Sequence, residues 1–447
     1  MSSTTATPAK AASLAPAFQD HLNENGPARL PAWWTERKRA AFAEFERTPY
    51  PKRRDERWRF SSVDSLAVEG YDFTATATRE EAAALVGRSN EIAHAAGRLV
   101  FADHTLGAWE PVSAELAAKG VVFMPLDQAL ATQPDLLKEH FAAQSTRLGA
   151  DKFAALHSAF VRCGVIIRIP DNVEVELPLA IYHWAHTPNA ALFPHTLILA
   201  GKNSKVSVVD FLFTEGGKTQ PHLAVSMSHI FADEGAKVFY TVFQDWSEQA
   251  LAFHLVSLDA RRDAYVKNLA VNLGGHQFRS ETQSLLNGPG SRVETYSLSV
   301  TEADQEIDQR TLQIHNAPNA SSDLLFKNAL MDDSRTIFSG LIQVAPEGQK
   351  TDAYQSNRNL LLSPTAEANS LPGLEISAND VRCTHGSTTG QIDESELFYL
   401  MARGIKPDIA RQLLVFGFFD EVIQKVDNEE LAQSLRKFVE SKFQTHG

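Results

Sequence analysis

Cysteine is nearly absent. Only Cys163 and Cys383 occur in 447 residues. No disulfide framework can staple this fold, and no four-thiolate metal site can close within the chain. Long apolar runs are missing too. The longest, Leu413 to Phe419, falls far short of the ~20 residues a membrane-spanning helix needs. Positive charge is in deficit: 42 Lys and Arg face 55 Asp and Glu, a net of −13. That balance excludes a nucleic-acid binder relying on bulk positive charge to release counterions. The opening stretch Met1 to Ala17 has no apolar core segment, so it reads as part of a flexible tail over residues 1–30 and not as a signal peptide. A reducing, cytoplasmic setting is the expectation.

What is present is a soluble globular composition, 43% apolar and 22% charged. The length asks for two or three domains, or for one elongated repeat domain with appendages. Residues 31–151 mix helix and strand signals. Trp33 to Thr48 carries Trp34, Ala41, Phe42 and Phe45 at helical spacing and stops at Pro49-Tyr50-Pro51. Arg98 to Ala102 and Gly120 to Met124 read as short strands. Asp151 to Phe160 is the last helix before the pattern changes.

From Gly164 to about Ile392 helical periodicity gives way to short alternating runs. Leu223, Val225 and Met227 alternate with Ala224, Ser226 and Ser228. Similar strand starts recur at Lys205, Lys237, Tyr265 and Arg292, spaced by 32, 28 and 27 residues. Repeats of this length suit the rungs of a solenoid, which bury their inner faces only by stacking. A β-sandwich with evenly spaced hairpins is the alternative that periodicity leaves open. After Ile392 helices return. Asp393 to Glu396 opens one with a capping-box pattern, Gly404 ends it, and Pro407 starts the next. The segment Ile409 to Val426 is apolar nearly all round, which suits either a central bundle helix or a partner surface.

Several chemical signals dissolve on inspection. Gly216-Gly217-Lys218-Thr219 lacks the earlier glycine of a phosphate loop, because Leu212 stands there, and it reads as a turn. His183 and His186 have no third ligand at a recognisable spacing and read as surface histidines. The alternating Glu302, Asp304, Glu306 and Asp308 could mimic the carboxylates of a carbohydrate-active β-helix enzyme, but read as a solvated strand face. Cys383 and His385 are different. On a strand they share one face, with Cα atoms about 7 Å apart. Thiolate and imidazole suit iron or zinc, although two ligands cannot close a site. A buried cysteine that merely packs, or a cysteine hydrolase, are the other readings of the same residues.

The segment from Asp380-Val-Arg-Cys-Thr-His-Gly-Ser-Thr-Thr-Gly390 through Gln391 to Ile405 resembles the carboxy-terminal signature of the SufD family, scaffold subunits of SUF iron–sulfur cluster assembly. Asp55-Glu-Arg-Trp-Arg-Phe60, Lys152 to Phe160, and Gly164 to Pro170 with Val173 to Pro178 are similar as well. The resemblance implies a mainly β chain: a right-handed parallel β-helix over 152–392, a mixed helical domain over 31–151 and a helical domain over 393–447. It implies a non-catalytic scaffold that pairs with the paralogue SufB through late rungs around Thr351 to Ile392. It implies that the ATPase SufC docks on the carboxy-terminal helices, and leaves self-pairing open to the isolated chain. His385, with Cys383 beside it, is expected at a nascent iron–sulfur site shared with SufB, the cluster being transient and confined to the complex. SufB-like chains carry a sulfur-accepting cysteine within the β-helix, whereas no cysteine lies between Cys163 and Cys383 here. A carbohydrate-active enzyme and a purely structural solenoid are the competing classes.

Overall fold

The computed structural model describes residues 13–24, 30–141, 147–216, 219–426 and 428–444. Its body is a parallel β-helix of two facing sheets, and the chain alternates between them. The first sheet stacks, among others, Lys205–Thr214, Lys237–Asp245, Tyr265–Asn272, Arg292–Thr301, Ser321–Leu330, Asp352–Leu361 and Arg382–Gln391. The second stacks Leu223–Ala232, Leu251–Ala260, Gln277–Leu286, Glu306–His315, Arg335–Val344 and Glu367–Ile376. All these pairs are parallel, which no sandwich of hairpins allows. The repeat read from the sequence is the physical register: Lys205, Lys237, Tyr265 and Arg292 face one another across successive strands.

Strand alternation divides each rung into lumen and outer face. Toward the lumen the first sheet projects Val206, Val238, Val266 and Val293 in one column, which continues through Ser322 and Ala353 to Cys383. A second column runs Asn272, Ser299, Asn328, Asn359 and Thr389. Its members hydrogen-bond along the stack. Asn272 Nδ2 donates to Ser297 and Ser299, Asn328 Nδ2 to Asn357 and Asn359, and Asn359 Nδ2 to Thr389 Oγ1.

One corner of every rung needs a residue with positive φ. Asn203, Gly235, Asp263, Gly290, Asn319 and Lys350 hold φ between 51° and 73° there. Each donates its backbone N–H to a carbonyl of the next rung: Asn203 to Glu234, Gly235 to Arg262, Asp263 to Pro289, and on to Lys350 with Asp380. Asparagine, aspartate and glycine tolerate this left-handed geometry best. At Gly235 a Cβ would stand 2.3 Å from Asn203 Oδ1.

The two ends of the solenoid are treated differently. At the first, the hairpin Gly97–Ala102 with Thr105–Glu110 covers one sheet, and Val122–Pro125 pairs antiparallel with Val165–Ile169 on the other. The Thr105–Glu110 strand has no counterpart in the sequence reading. Helix Asp151–Phe160 lies over the outer face of the second sheet, where Phe153 stacks on Phe253 at 3.9 Å. Residues 1–12 and 25–29 of the expected tail fall outside the described residues. Within the rest of that span Ala15–Glu24 is helical and docked, with Phe18 stacked on Phe42 at 4.2 Å. At the far end Glu367–Ile376 and Arg382–Gln391 are both edge strands.

Helix Pro407–Ile423 packs along the outer face of the first sheet and does not cover that far end. Val415, Phe419, Val422 and Ile423 are buried there with Tyr296, Leu298 and Leu325. Lys327 Nζ donates to Phe418 O at 2.7 Å and Lys267 Nζ to Lys425 O at 3.1 Å, each satisfying a carbonyl of the helix or of the turn that follows it. Helix Glu429–Gln444 joins the same cluster through Leu431, Leu435 and Val439.

Candidate functional site

The uncovered terminal rung carries the Cys383 and His385 pair. Cys383 is in register with Ala353 and His385 with Gln355, both buried, so both point to the lumen side of Arg382–Gln391. Cys383 packs partly buried among Ile342, Val344, Ala353, Leu374 and Ala378. Burial, then the Asp352 carboxylate, holds its thiol above the ordinary range. His385 is exposed. Below them Gln355 Nε2 donates to Gly340 O across the lumen at 3.2 Å. A Cβ on Gly340 would meet the Gln355 amide at 2.5 Å, so glycine is what admits that side chain. Among the described residues no three or more His, Cys, Asp or Glu side chains converge as a metal-holding group.

A second exposed feature lies on the carboxy-terminal helices. Helix Glu394–Ala402 buries Leu397 and leaves Phe398 71% and Tyr399 55% exposed, with Met401, Ile409 and Leu413 also solvent-facing. Its cap is Asp393, whose carboxylate accepts from the Ser395 N–H at 2.8 Å, in place of the box expected with Glu396. Single exposed apolar residues are ordinary; five along two consecutive helices form a patch.

Two expectations are corrected. His183 is not at the surface: it is 2% exposed, inside the lumen, stacked on Phe101 at 5.1 Å. Burial lowers its pKa to about 3. His186 is part-buried and paired with Glu215. The acidic run is not solvated either, apart from Asp304. Asp308 Oδ2 accepts from Arg279 and Ser61, each at 2.5 Å, while Asp308 Oδ1 accepts from Arg310. Glu306 pairs with Arg335 and Ser62, and Glu302 with Lys442. These charges fasten the Asp55 to Phe60 segment to the solenoid. Arg279 and Arg310 donate to the carbonyls of Arg57 and Arg59, and Trp58 lies under the Arg279 guanidinium at 3.8 Å. Buried pairs of this kind offer no open row of carboxylates to a sugar chain. The Gly217-Lys218 part of the phosphate-loop look-alike lies outside the described residues; Glu215 and Gly216 form a turn.

Comparison with known proteins fits this architecture. Residues 183–418 match the SufBD core domain of SUF system FeS cluster assembly, and residues 28–181 match the SufBD protein N-terminal region. The chain belongs to the SufBD family. Among similar SufBD proteins is the iron–sulfur cluster assembly protein SufD of Bacillus subtilis, 28% identical over 92% of this chain and 94% of its own. An iron–sulfur cluster assembly SufBD family protein of Pyrococcus horikoshii is 29% identical over 73% of this chain and 72% of its own. One of Staphylococcus epidermidis is 29% identical over 70% and 67%. The Cys383 to Gly390 signature lies inside the SufBD core match, on the terminal rung. No described helix is long and apolar enough to cross a membrane.

Proposed function

We propose that this SufBD protein fills the SufD role: a non-catalytic scaffold subunit of cytoplasmic SUF assembly. The division into 1–30, 31–151, 152–392 and 393–447 serves as its functional map. The terminal rung pairs with SufB, or with a second copy when the chain is alone. The Phe398 to Leu413 patch receives the ATPase SufC. A nascent iron–sulfur cluster, the cargo, forms at the SufB junction with His385 as a ligand and Cys383 as a soft ligand or packing neighbour. The remaining ligands come from SufB, since two side chains cannot enclose iron.

The observation that carries this reading is the uncovered end. Two edge strands stop there side by side, and unpaired strand edges are the template on which another chain adds strands. The signature residues sit on that rung. The near full-length likeness to a SufD and the lack of a cysteine between Cys163 and Cys383 support SufD over SufB.

His385→Ala removes one exposed side chain, so folding and assembly with SufB and SufC should be retained. Cluster formation in the assembled complex should fall at least tenfold, the lower end of what loss of a supporting metal contact costs. Cys383→Ala should be milder. Parental cluster yield from a normally assembled His385→Ala complex would remove the site assignment. Polysaccharide cleavage by the purified chain would remove the scaffold reading itself.

A further inference from the structure

One segment runs against the charge of the whole chain. Lys52, Arg53, Arg54, Arg57 and Arg59 put five cations into eight residues, with only Asp55 and Glu56 among them, in a chain of net charge −13. All five are exposed. Arg53 pairs with Asp64 at 2.6 Å and Arg57 approaches Asp151 at 3.8 Å, but both pairs lie in solvent, where an ion pair holds little. Among the described residues Lys52, Arg54 and Arg59 have no carboxylate partner.

The solenoid grips this strap from behind. Arg279 and Arg310 take the carbonyls of Arg57 and Arg59, and Trp58 Nε1 donates to Gly149 O at 3.0 Å. These contacts use the main chain and one buried ring, so the arginine side chains are left outside. Beside them Phe60 is 42% exposed and held at φ 70°. A bulky residue rarely adopts that left-handed conformation, and strain of this kind persists where the surroundings impose it, as at ligand clamps. The imposing bonds flank it: Arg310 holds Arg59 O, and Ser61 Oγ donates to Asp308. The Arg59 guanidinium lies over the Phe60 ring, 5.0 Å from its centroid. Stacking occupies the face of the guanidinium and leaves its N–H edge free to donate.

We propose that the strap from Lys52 to Phe60 is a docking surface for an acidic polypeptide segment with an apolar side chain among its carboxylates. Guanidinium forks bind carboxylates through paired, charge-assisted bonds, and arginine beside an exposed aromatic ring is the composition of interface hot spots. A nucleic acid or an anionic membrane spreads its charge over a far larger area, which the net charge of −13 repels. A short acidic segment meets only the local field, which salt confines to about 10 Å. The strap rests on strands Gln277–Leu286 and Glu306–His315, on the sheet opposite the one that carries the carboxy-terminal helices. A partner held there does not compete for those helices, and the surface stands whether or not the chain fills the SufD role.

The probe is a fluorescein-labelled peptide of glutamates around one central leucine, followed by fluorescence anisotropy with the full chain. Binding at low salt is expected, weakening as salt is added. Arg54→Glu together with Arg59→Glu should raise the Kd about tenfold or more with an unchanged melting temperature, because neither side chain supports the fold. Phe60→Asn relieves the left-handed geometry, so it should keep or raise the melting temperature while weakening the peptide. A merely structural phenylalanine would not give that pair of effects, and unchanged binding by Phe60→Asn overturns the apolar half of the assignment. Parental binding by the folded, charge-reversed chain overturns the proposal, as does a parent chain that leaves the peptide free at low salt. Should the charge-reversed chain fail to fold, Arg54→Gln with Arg59→Gln decides by the same readout. A single-stranded oligonucleotide or a vesicle of anionic lipid bound more tightly than the peptide, and lost with the same substitutions, overturns the choice of an acidic polypeptide.

Discussion

Buried histidines make this chain sensitive to acid. Burial pushes His104, His157 and His183 to about 3 and His222, His254 and His315 to about 4. An unfolded histidine titrates near 6.5. Their folded pKa values are depressed, so each contribution to stability is intact above about pH 6.5 and is lost as pH falls toward 3–4. Asp210 works in the opposite sense. Its burial raises the carboxyl to about 6, against the bonds from Tyr240 and Thr196, so it gains stability as pH falls to 5. The histidines outnumber it, and the urea midpoint should drop by about 1 M or more between pH 7 and pH 5. An unchanged midpoint would contradict the buried, neutral state of these rings. Nothing in the sequence near His183 signals burial, because the ring that covers it, Phe101, is far away along the chain. Cys383 and His385, by contrast, were legible as a same-face pair from strand alternation alone. That the rung they stand on is uncovered was not, since it depends on where the following helices pack.

Single elements are held by devices that can each be broken. The left-handed corner is one. Gly235→Ala places a Cβ against Asn203 at φ 68° and should cost about 1–3 kcal/mol, read as a lowered denaturation midpoint. The charged strap is another. Arg279→Ala leaves Asp308 and Glu281 buried beside a missing cation and strips Trp58 of its cover, a loss of about 3–5 kcal/mol. Protease cleavage should then begin near Asp55 to Phe60; a parental cleavage pattern would show that the strap does not depend on this network. The acidic run was misread because its counter-charges at Arg279, Arg335 and Lys442, and its hydroxyl partners Ser61 and Ser62, are distant in sequence. On the carboxy-terminal helices, Phe398→Asp and Leu413→Asp change exposed residues and should leave folding unchanged; under the proposed SufC docking, SufC copurification falls at least tenfold. Retained copurification would remove this patch as the proposed site. The apolar helix Pro407–Ile423 is not the centre of a bundle: one side is buried on the sheet, and Ile409 and Leu413 stand in solvent.

At the scale of the molecule, a repeat of roughly 30 residues was visible in the sequence because strands start on similar residues at nearly constant spacing, but only the family resemblance separated a solenoid from a sandwich. The amino-terminal region was only partly visible. Its short strands take their place from pairing with the first rungs, and Thr105–Glu110, with a glycine and a half-exposed pattern, carries no alternation of its own. Register holds without a shift from Lys205 to Arg382. Distance along the body is therefore quantised: each rung adds one strand spacing, about 4.8 Å. The helices are riveted to strands Arg292–Thr301 and Ser321–Leu330, while the signature residues lie on Arg382–Gln391. The β-helix thus acts as a ruler, and gaining or losing one rung between those strands would move the uncovered terminal rung relative to the helix-bearing face by a fixed step without disturbing either.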